Sequence, residues 1–260
     1  MSNQMKKKIE ERISGIHNGL DLGFSDYFRD QNVRERTISK KLDAIEGAVG
    51  LLKVEGGMNF SLFQALGPKH PSPQIYILDF PSDLRAAFYL MLGGYYRPAI
   101  LSLRNWLEMR LLGIYFGRVE HNRKNYRDWK QGKFMAPFGK SLIGRLFARA
   151  DFRRMDNQLG LRTRLEALYS ELSAFTHGSG LEKHDLQRDT DNVPRYNQAS
   201  VGVWLGYLDR TFAEVAFWLF LAYDKDAYRA LSGGELDTLL RHLPTPYKIR
   251  LSAVLENKTP

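Results

Sequence analysis

The sequence predicts an all-α fold: an antiparallel helical bundle that carries an N-terminal helical arm. Apolar residues recur every three or four positions in almost every long segment, which is the spacing of one face of an α-helix. The segment QIYILDF, residues 74–80, is the only good strand candidate, and a lone strand does not make a sheet. The 260 residues include no Cys, so neither disulfides nor thiolate metal sites shape the chain.

The N-terminal arm, residues 1–66, is expected to contain two amphipathic helices, at 5–30 and 33–53. The glycines of EGGMNF are expected to end the second helix, and the proline-rich segment LGPKHPSPQ separates the arm from the main body. The apolar positions of the second helix follow the spacing of three and four; they are Ile38, Leu42, Ile45, Val49 and Leu52.

The main bundle is expected over residues 75–231, followed by a short helix and tail at 232–260. Its first two helices occupy PSDLRAAFYLML and the segment 98–116, with Gly93 and Gly94 between them. Pro at the start of the second segment fits the first turn of a helix, where its missing N–H costs nothing. Later helices are expected at 162–177, at 201–223 and, after SGGE, near Leu236 to His242.

The balance of charge favours anionic partners. The formal net charge is +9, which suits nucleic acid or an acidic membrane surface. The N-terminal lysines are followed by Glu10 and Glu11 instead of an apolar core, so no secretion signal is expected. The two most apolar segments, 99–116 and 201–223, both contain charged residues and are therefore expected to be buried helices instead of membrane spans. We expect a cytoplasmic protein.

Two common kinds of site are not expected. FMAPFGKSLIG resembles the end of a phosphate-binding loop, but Phe134 stands where the first glycine is needed and no strand precedes it. The six His residues are scattered, and no two share a helix at a spacing of four. A loop cluster of Glu182, His184 and Asp185 is more typical of a solvated surface than of a metal site. No metal and no cofactor are expected.

The segment PAILSLRNWLEMRLLGIYF, residues 98–116, is apolar nearly all round, which is typical of a central helix. Arg104 and Glu108 interrupt it, and their spacing of four residues places them on one face, where they can pair. A structural ion pair at the edge of the core is one interpretation, because a buried charge without a partner is costly. The other is that Arg104 points into a cleft to meet an anion while Glu108 holds it in place.

The segment YSELSAFTHGSG, residues 169–180, ends a helix with a His that follows a Ser by one turn. Tyr169, Ser173 and His177 fall on a face away from the apolar stripe, so His177 faces either water or a second surface from another helix or subunit. A solvated His is favoured at a helix C-terminus by the helix dipole. Alternatively, a neutral His is a general acid or base near pH 7, and Ser173 orients it.

Three segments in order, GYYRPAILSLRNWLEMRLLGIYF, YRDWKQGKFMAPF and LYSELSAFTHGS, resemble bacterial HEPN-like helical proteins, many of which are linked to phage defence or toxin modules. The resemblance covers about residues 85–223. It rests on an Arg-x-x-x-Glu pattern in an early helix and a hydroxyl-x-x-x-His pattern at the end of a later one. It implies a HEPN-like bundle that forms a homodimer, with an antitoxin or a subunit of a defence complex as a further partner.

The better-known HEPN ribonucleases cut RNA without a metal through an Arg-x(4–6)-His motif, so the resemblance implies that His177 moves the proton of the 2′-hydroxyl. The motif's arginine is missing here, since Ser170, Glu171 and Leu172 occupy its positions. Arg104, from the neighbouring helix, is expected to supply the charge that stabilises the phosphate instead.

A basic, aromatic segment lies between the helices expected at 98–116 and 162–177. It is expected either to bind along a phosphate backbone and stack bases or to form a solvated basic face. Its candidate binding residues are Arg123, Lys124, Arg127, Trp129 and Lys130.

The function predicted is RNA binding, with metal-independent endoribonuclease activity as its catalytic form. A non-catalytic interaction module, or a nucleotide sensor, is the alternative because the motif's arginine is missing. The candidate catalytic residues are His177, Arg104, Glu108 and Ser173.

Overall fold

The protein is all-α. A computed structural model describes residues 35–79, 83–119, 123–176 and 198–256, and within these ranges every regular element is a helix. The α-helices are α1 (Glu35–Leu66), α2 (Pro71–Pro73), α3 (Asp83–Leu92), α4 (Tyr96–Ile114), α5 (Arg123–Lys130), α6 (Gly139–Leu146), α7 (Ala150–Leu159), α8 (Leu161–Ala174), α9 (Gln198–Tyr223), α10 (Gly233–His242) and α11 (Thr245–Glu256).

Helix α4 lies at the centre of the fold. It packs against α3, α8 and α9, and from Trp106 to its end at Ile114 every side chain is buried. Aromatic rings join the central helices: Trp106 stacks on Phe212 of α9 at a centroid distance of 5.7 Å. Burial all round α4 is what its apolar sequence predicts, and large aromatic side chains supply much of the buried apolar area.

Helix α1 does not end at EGGMNF, so the break predicted there is wrong. Leu51, Val54 and Leu62 of this helix are fully buried in the core, which offsets the low helix propensity of two adjacent glycines. Gly57 has a packing role as well, because a Cβ atom there would lie 2.4 Å from Leu231 Cδ2. The predicted arm therefore packs with the bundle through the buried residues between Ile45 and Leu62, whereas the helix expected at 5–30 lies outside the described residues.

The strand candidate at 74–80 forms no strand over the residues described, because Gln74–Asp79 form a π-helix that continues directly from α2. Ile75 and Tyr76 are buried against the core, and the Tyr76 hydroxyl donates to the Arg110 carbonyl at 2.6 Å. Gly113 of α4 makes this approach possible, since a Cβ atom there would lie 2.4 Å from the Tyr76 ring. The described ranges hold no strand with which this segment could pair, and it satisfies its backbone groups as a helix.

Arg110 of α4 forms a buried charge pair with Glu55 of α1. Its side chain is 3% exposed, it donates to the Glu55 carboxylate and the Asn59 amide, and it lies over the Tyr76 ring at 4.4 Å. The Trp106 indole N–H donates to the same Glu55 carboxylate at 2.7 Å. This network joins α1 to α4 inside the core.

The C-terminal part holds one helix that the sequence predicts and one that it does not. Helix α10 begins after Ser232, which forms a capping box with Glu235: the Ser232 N–H donates to the Glu235 carboxylate at 2.7 Å. Helix α11 was not predicted from the sequence, and its Tyr247 stacks on Phe217 at a centroid distance of 3.8 Å.

Across the ranges that the structure covers, no helix is long and apolar enough to cross a membrane.

Candidate functional site

The predicted pair of Arg104 and Glu108 forms on α4. Arg104 Nη2 lies 3.8 Å from Glu108 Oε2, and the two side chains are 25% and 11% exposed. A charge pair at this depth retains some access to solvent, which distinguishes it from the buried pair of Arg110 and Glu55.

Tyr169 of α8 connects the two charged groups. Its hydroxyl accepts a hydrogen bond from Arg104 Nη2 at 2.6 Å and donates one to Glu108 Oε1 at 2.7 Å. Burial of the ring, together with the bond to the Glu108 carboxylate, raises the pKa of Tyr169 above its ordinary value, so the hydroxyl stays protonated and donates. Tyr169 therefore faces α4, although it lies off the apolar stripe of its own helix.

Gly139, the first residue of α6, completes the partners of Glu108. Its backbone N–H donates to Glu108 Oε1 at 3.2 Å. Gly139 has φ +57°, and a Cβ atom there would lie 2.9 Å from the Tyr169 hydroxyl, so a glycine suits both the backbone and the contact. In the segment that resembles a phosphate-binding loop, this N–H therefore donates to the buried Glu108 side chain of α4.

Two arginines bind the end of α8. Arg104 Nη1 donates to the Thr176 hydroxyl at 2.9 Å, while Arg97 donates to the carbonyls of Phe175 at 2.8 Å and Thr176 at 3.2 Å. Cations are stabilising at a helix C-terminus because its last carbonyls have no partner within the helix. Thr176 directly precedes His177, which lies outside the described residues.

Arg97 was not predicted from the sequence as a site residue. A signal for it exists, because Arg97, Arg104 and Glu108 follow one another at spacings of seven and four and so share one face of α4. We call Arg97, Arg104, Glu108, Tyr169 and Thr176 the arginine site. The predicted site residue Ser173 donates its hydroxyl within its own helix, to the Tyr169 backbone carbonyl at 2.7 Å.

The basic, aromatic segment forms helix α5. Lys124, Arg127 and Lys130 are exposed, while nothing is described of the Arg123 side chain. Trp129 lies on the inner side, where its ring packs 5.4 Å from that of Phe116 and 6.0 Å from that of Tyr126. Arg127 and Lys130 thus face solvent, whereas Trp129 anchors the helix to the core.

A cleft of about 670 Å³ opens beside the basic face of α5. Arg127 and Lys130 line it from α5, and Lys69 lines it from the turn before α2. We call this opening the basic cleft; its remaining lining residues are Pro71, Gln74, Tyr126 and Gln131. Three cations and two amides around one opening make a site for an anion with further hydrogen-bonding groups.

The described ranges contain no group of three or more His, Asp or Glu side chains arranged to hold a metal ion. The loop cluster of Glu182, His184 and Asp185 lies outside those ranges.

Comparisons of the chain with models of protein families, with curated proteins and with solved structures give no match.

Proposed function

We propose that this protein binds RNA and that the RNA phosphates lie in the basic cleft. The observation that carries the proposal is the convergence of Lys69, Arg127 and Lys130, from two separate elements, on one opening. Phosphate contacts by Lys and Arg supply much of the affinity for nucleic acids. The cleft is also large enough for a nucleotide, since small-molecule sites range from about 300 to 1,000 Å³.

The test is fluorescence anisotropy with labelled RNA at several salt concentrations. The double variant Arg127→Ala/Lys130→Ala is expected to bind more weakly for every RNA sequence. The slope of log K against log salt is expected to fall by about 1.4, because each phosphate contact on a single strand contributes about 0.7.

Arg153→Ala/Arg154→Ala is the matched control, because it removes the same charge from exposed positions on α7. If both double variants lose the same affinity and the same slope, the binding is a property of net charge and the basic cleft is not the site.

We further propose that RNA is cleaved at the arginine site without a metal ion. In this mechanism His177 takes the proton of a 2′-hydroxyl and the 2′-oxygen attacks the adjacent phosphate. The bond from phosphorus to the 5′-oxygen then breaks, the 5′-oxygen leaves as a hydroxyl after taking a proton from solvent, and a 2′,3′-cyclic phosphate remains. Arg104 stabilises the charge of the pentacoordinate intermediate. The observation in favour is that Arg97 and Arg104 both bind Thr176, the neighbour of His177 in the chain. Glu108 and Tyr169 serve as positioning residues that hold the Arg104 guanidinium.

A non-catalytic module, for protein interaction or for nucleotide sensing, is the alternative, and one observation favours it. Both terminal nitrogens of Arg104 already donate to hydroxyl groups of the protein, so two of its five N–H groups serve the fold and fewer are left for a phosphate. A HEPN-like fold that has lost the motif's arginine would retain RNA or nucleotide binding without cleavage.

Incubation with mixed RNA in EDTA separates the two functions. Cleavage by the wild-type protein that is lost in both His177→Ala and Arg104→Gln supports the catalytic proposal. RNA binding without cleavage in any of the three proteins supports the non-catalytic module. Cleavage that survives in His177→Ala contradicts the role given to this His.

We also retain as proposals the homodimer and the antitoxin or defence-complex partner that the HEPN resemblance implies. Sedimentation of the purified protein over a range of concentrations tests the dimer, and a single monomeric species at all concentrations contradicts it.

A further inference from the structure

A second opening, of about 570 Å³, lies near α5. It is lined by residues 134–138, by Ser141 and Arg145 of α6, and by Tyr115 and Asn125. Two of its apolar side chains are exposed: Met135 is 91% exposed and Phe138 is 44% exposed. Single exposed apolar side chains are ordinary on protein surfaces, but a run of them around one concave opening is typical of a binding site. We call this opening the aromatic groove.

The aromatic groove combines flat rings with polar groups. Phe138 contributes an exposed ring, beside the partly buried Phe134 and the buried Tyr115, while Asn125, Ser141 and Arg145 contribute an amide, a hydroxyl and a cation. A nucleobase needs this combination, because its faces stack on aromatic rings and its edges exchange hydrogen bonds with amide and hydroxyl groups. A site for a purely apolar side chain would not need the three polar groups.

The aromatic groove and the basic cleft share α5. Asn125 lines the groove and Arg127 lines the cleft, and two residues along a helix differ by about 200° around its axis. The two openings therefore lie on opposite sides of one helix, whose diameter with side chains is about 10 to 12 Å. A nucleic-acid strand that crosses α5 reaches both.

We propose that the aromatic groove accepts an unpaired base of single-stranded RNA whose phosphates lie in the basic cleft. This inference rests on the proposed RNA binding and adds the class of RNA to it. Paired bases are stacked inside a duplex and cannot enter a concave opening, so the groove selects single strands. Charge favours RNA over a protein partner as the occupant, because Arg145 lines the groove and three further cations lie across α5.

The experiment compares one RNA sequence as a labelled single strand and as a duplex with its complement. The wild-type protein is expected to bind the single strand more tightly. Phe138→Ala is expected to weaken single-strand binding about 5- to 150-fold, which is the range for loss of one base stacked on an aromatic ring, and to leave duplex binding nearly unchanged.

Two further variants guard against a loss of folding. Met135→Ala changes the groove at a side chain that is 91% exposed, so this substitution leaves the packing of the core unchanged. Phe60→Ala, at a 53% exposed Phe on α1, is the matched control and is expected to bind both RNAs as the wild type does.

The outcomes distinguish this inference from the proposed function. If single strand and duplex bind equally and Phe138→Ala matches Phe60→Ala, the base site is overturned while RNA binding stands. If Phe138→Ala instead removes a protein partner and leaves RNA affinity intact, the groove is a protein interface and the base site is likewise overturned. If no RNA binds the wild-type protein, both proposals fail.

Discussion

Arg104 and Arg110 lie six residues apart on the same helix, and each pairs with a carboxylate and lies over an aromatic ring, yet they differ in exposure and in the groups that accept their hydrogen bonds. Arg110 is 3% exposed, pairs with a buried carboxylate and lies against the rings of Tyr76 and Trp106. Arg104 is 25% exposed, its carboxylate partner is 3.8 Å away, and its two hydrogen bonds go to hydroxyl groups.

This difference separates a structural arginine from one that can bind a ligand. A guanidinium enclosed by a carboxylate and two rings offers no donor to an incoming anion. A guanidinium held by hydroxyls can exchange one of them for a phosphate, because the oxygen of a phosphate accepts the same hydrogen bond with an added charge. The site therefore depends on the neighbours of the arginine and not on its position in an apolar helix.

The largest expected effect is on stability, at Arg110. Arg110→Met leaves the Glu55 carboxylate buried without its cation, and we expect the free energy of unfolding to fall by about 3 to 5 kcal/mol. Urea unfolding followed by circular dichroism measures this. Adding Glu55→Gln is expected to restore part of the loss, because it removes the charge but keeps an acceptor for the Trp106 indole. If the single variant Arg110→Met is as stable as the wild type, the structural role of Arg110 is contradicted.

A smaller effect is expected at Arg104. Arg104→Met removes two hydrogen bonds at a partly exposed position, and we expect a loss of about 1 to 2 kcal/mol in the same unfolding measurement. Lys is the useful second variant here, since it keeps the charge but cannot bond to Thr176 and Tyr169 in the same fork geometry. A loss as large as that of Arg110→Met would remove the distinction between the two arginines.

The smallest expected effect concerns a third charged group, Glu214 of α9, and it appears as a change with pH. Burial raises the pKa of Glu214 despite the Arg164 side chain 3.3 Å away and a hydrogen bond from Tyr247. Between the ordinary carboxyl pKa and this raised value, the unfolded chain loses the Glu214 proton and the folded protein keeps it. Glu214 therefore lowers the free energy of unfolding as pH rises through that window.

Glu214→Gln is expected to remove this dependence. The variant should gain stability relative to the wild type as pH increases from about 4.5 towards 7, as measured by urea unfolding at each pH. A difference between the two proteins that stays constant over this range would show that Glu214 does not titrate with a raised pKa in the folded state.

Much of the helical structure could be predicted because it depends on local pattern. Helices α4, α8, α9 and α10 follow from the spacing of apolar residues, and the pairing of Arg104 with Glu108 follows from a spacing of four. The errors occur where packing outweighs local preference. Gly57 lies inside a helix whose neighbouring side chains are buried in the core, and Tyr76 packs against Gly113 within a segment that forms a π-helix.

The candidate sites divide in the same way. The basic residues of α5 and the face shared by Arg104 and Glu108 could be predicted from the sequence, because each set lies within a single helix. The roles of Lys69, Tyr169 and Gly139 could not be predicted in this way, because each of their contacts joins elements that are far apart in sequence.

The sequence by itself determined that this protein is all-α, that α4 is central, and that positive charge gathers on α5. Only the tertiary structure decided that Arg110 is enclosed, which hydroxyls bind Arg104, and where Lys69 meets α5. The physical reason is one of range: helix periodicity and charge are properties of neighbouring residues, whereas burial and a cleft exist only when distant segments pack together.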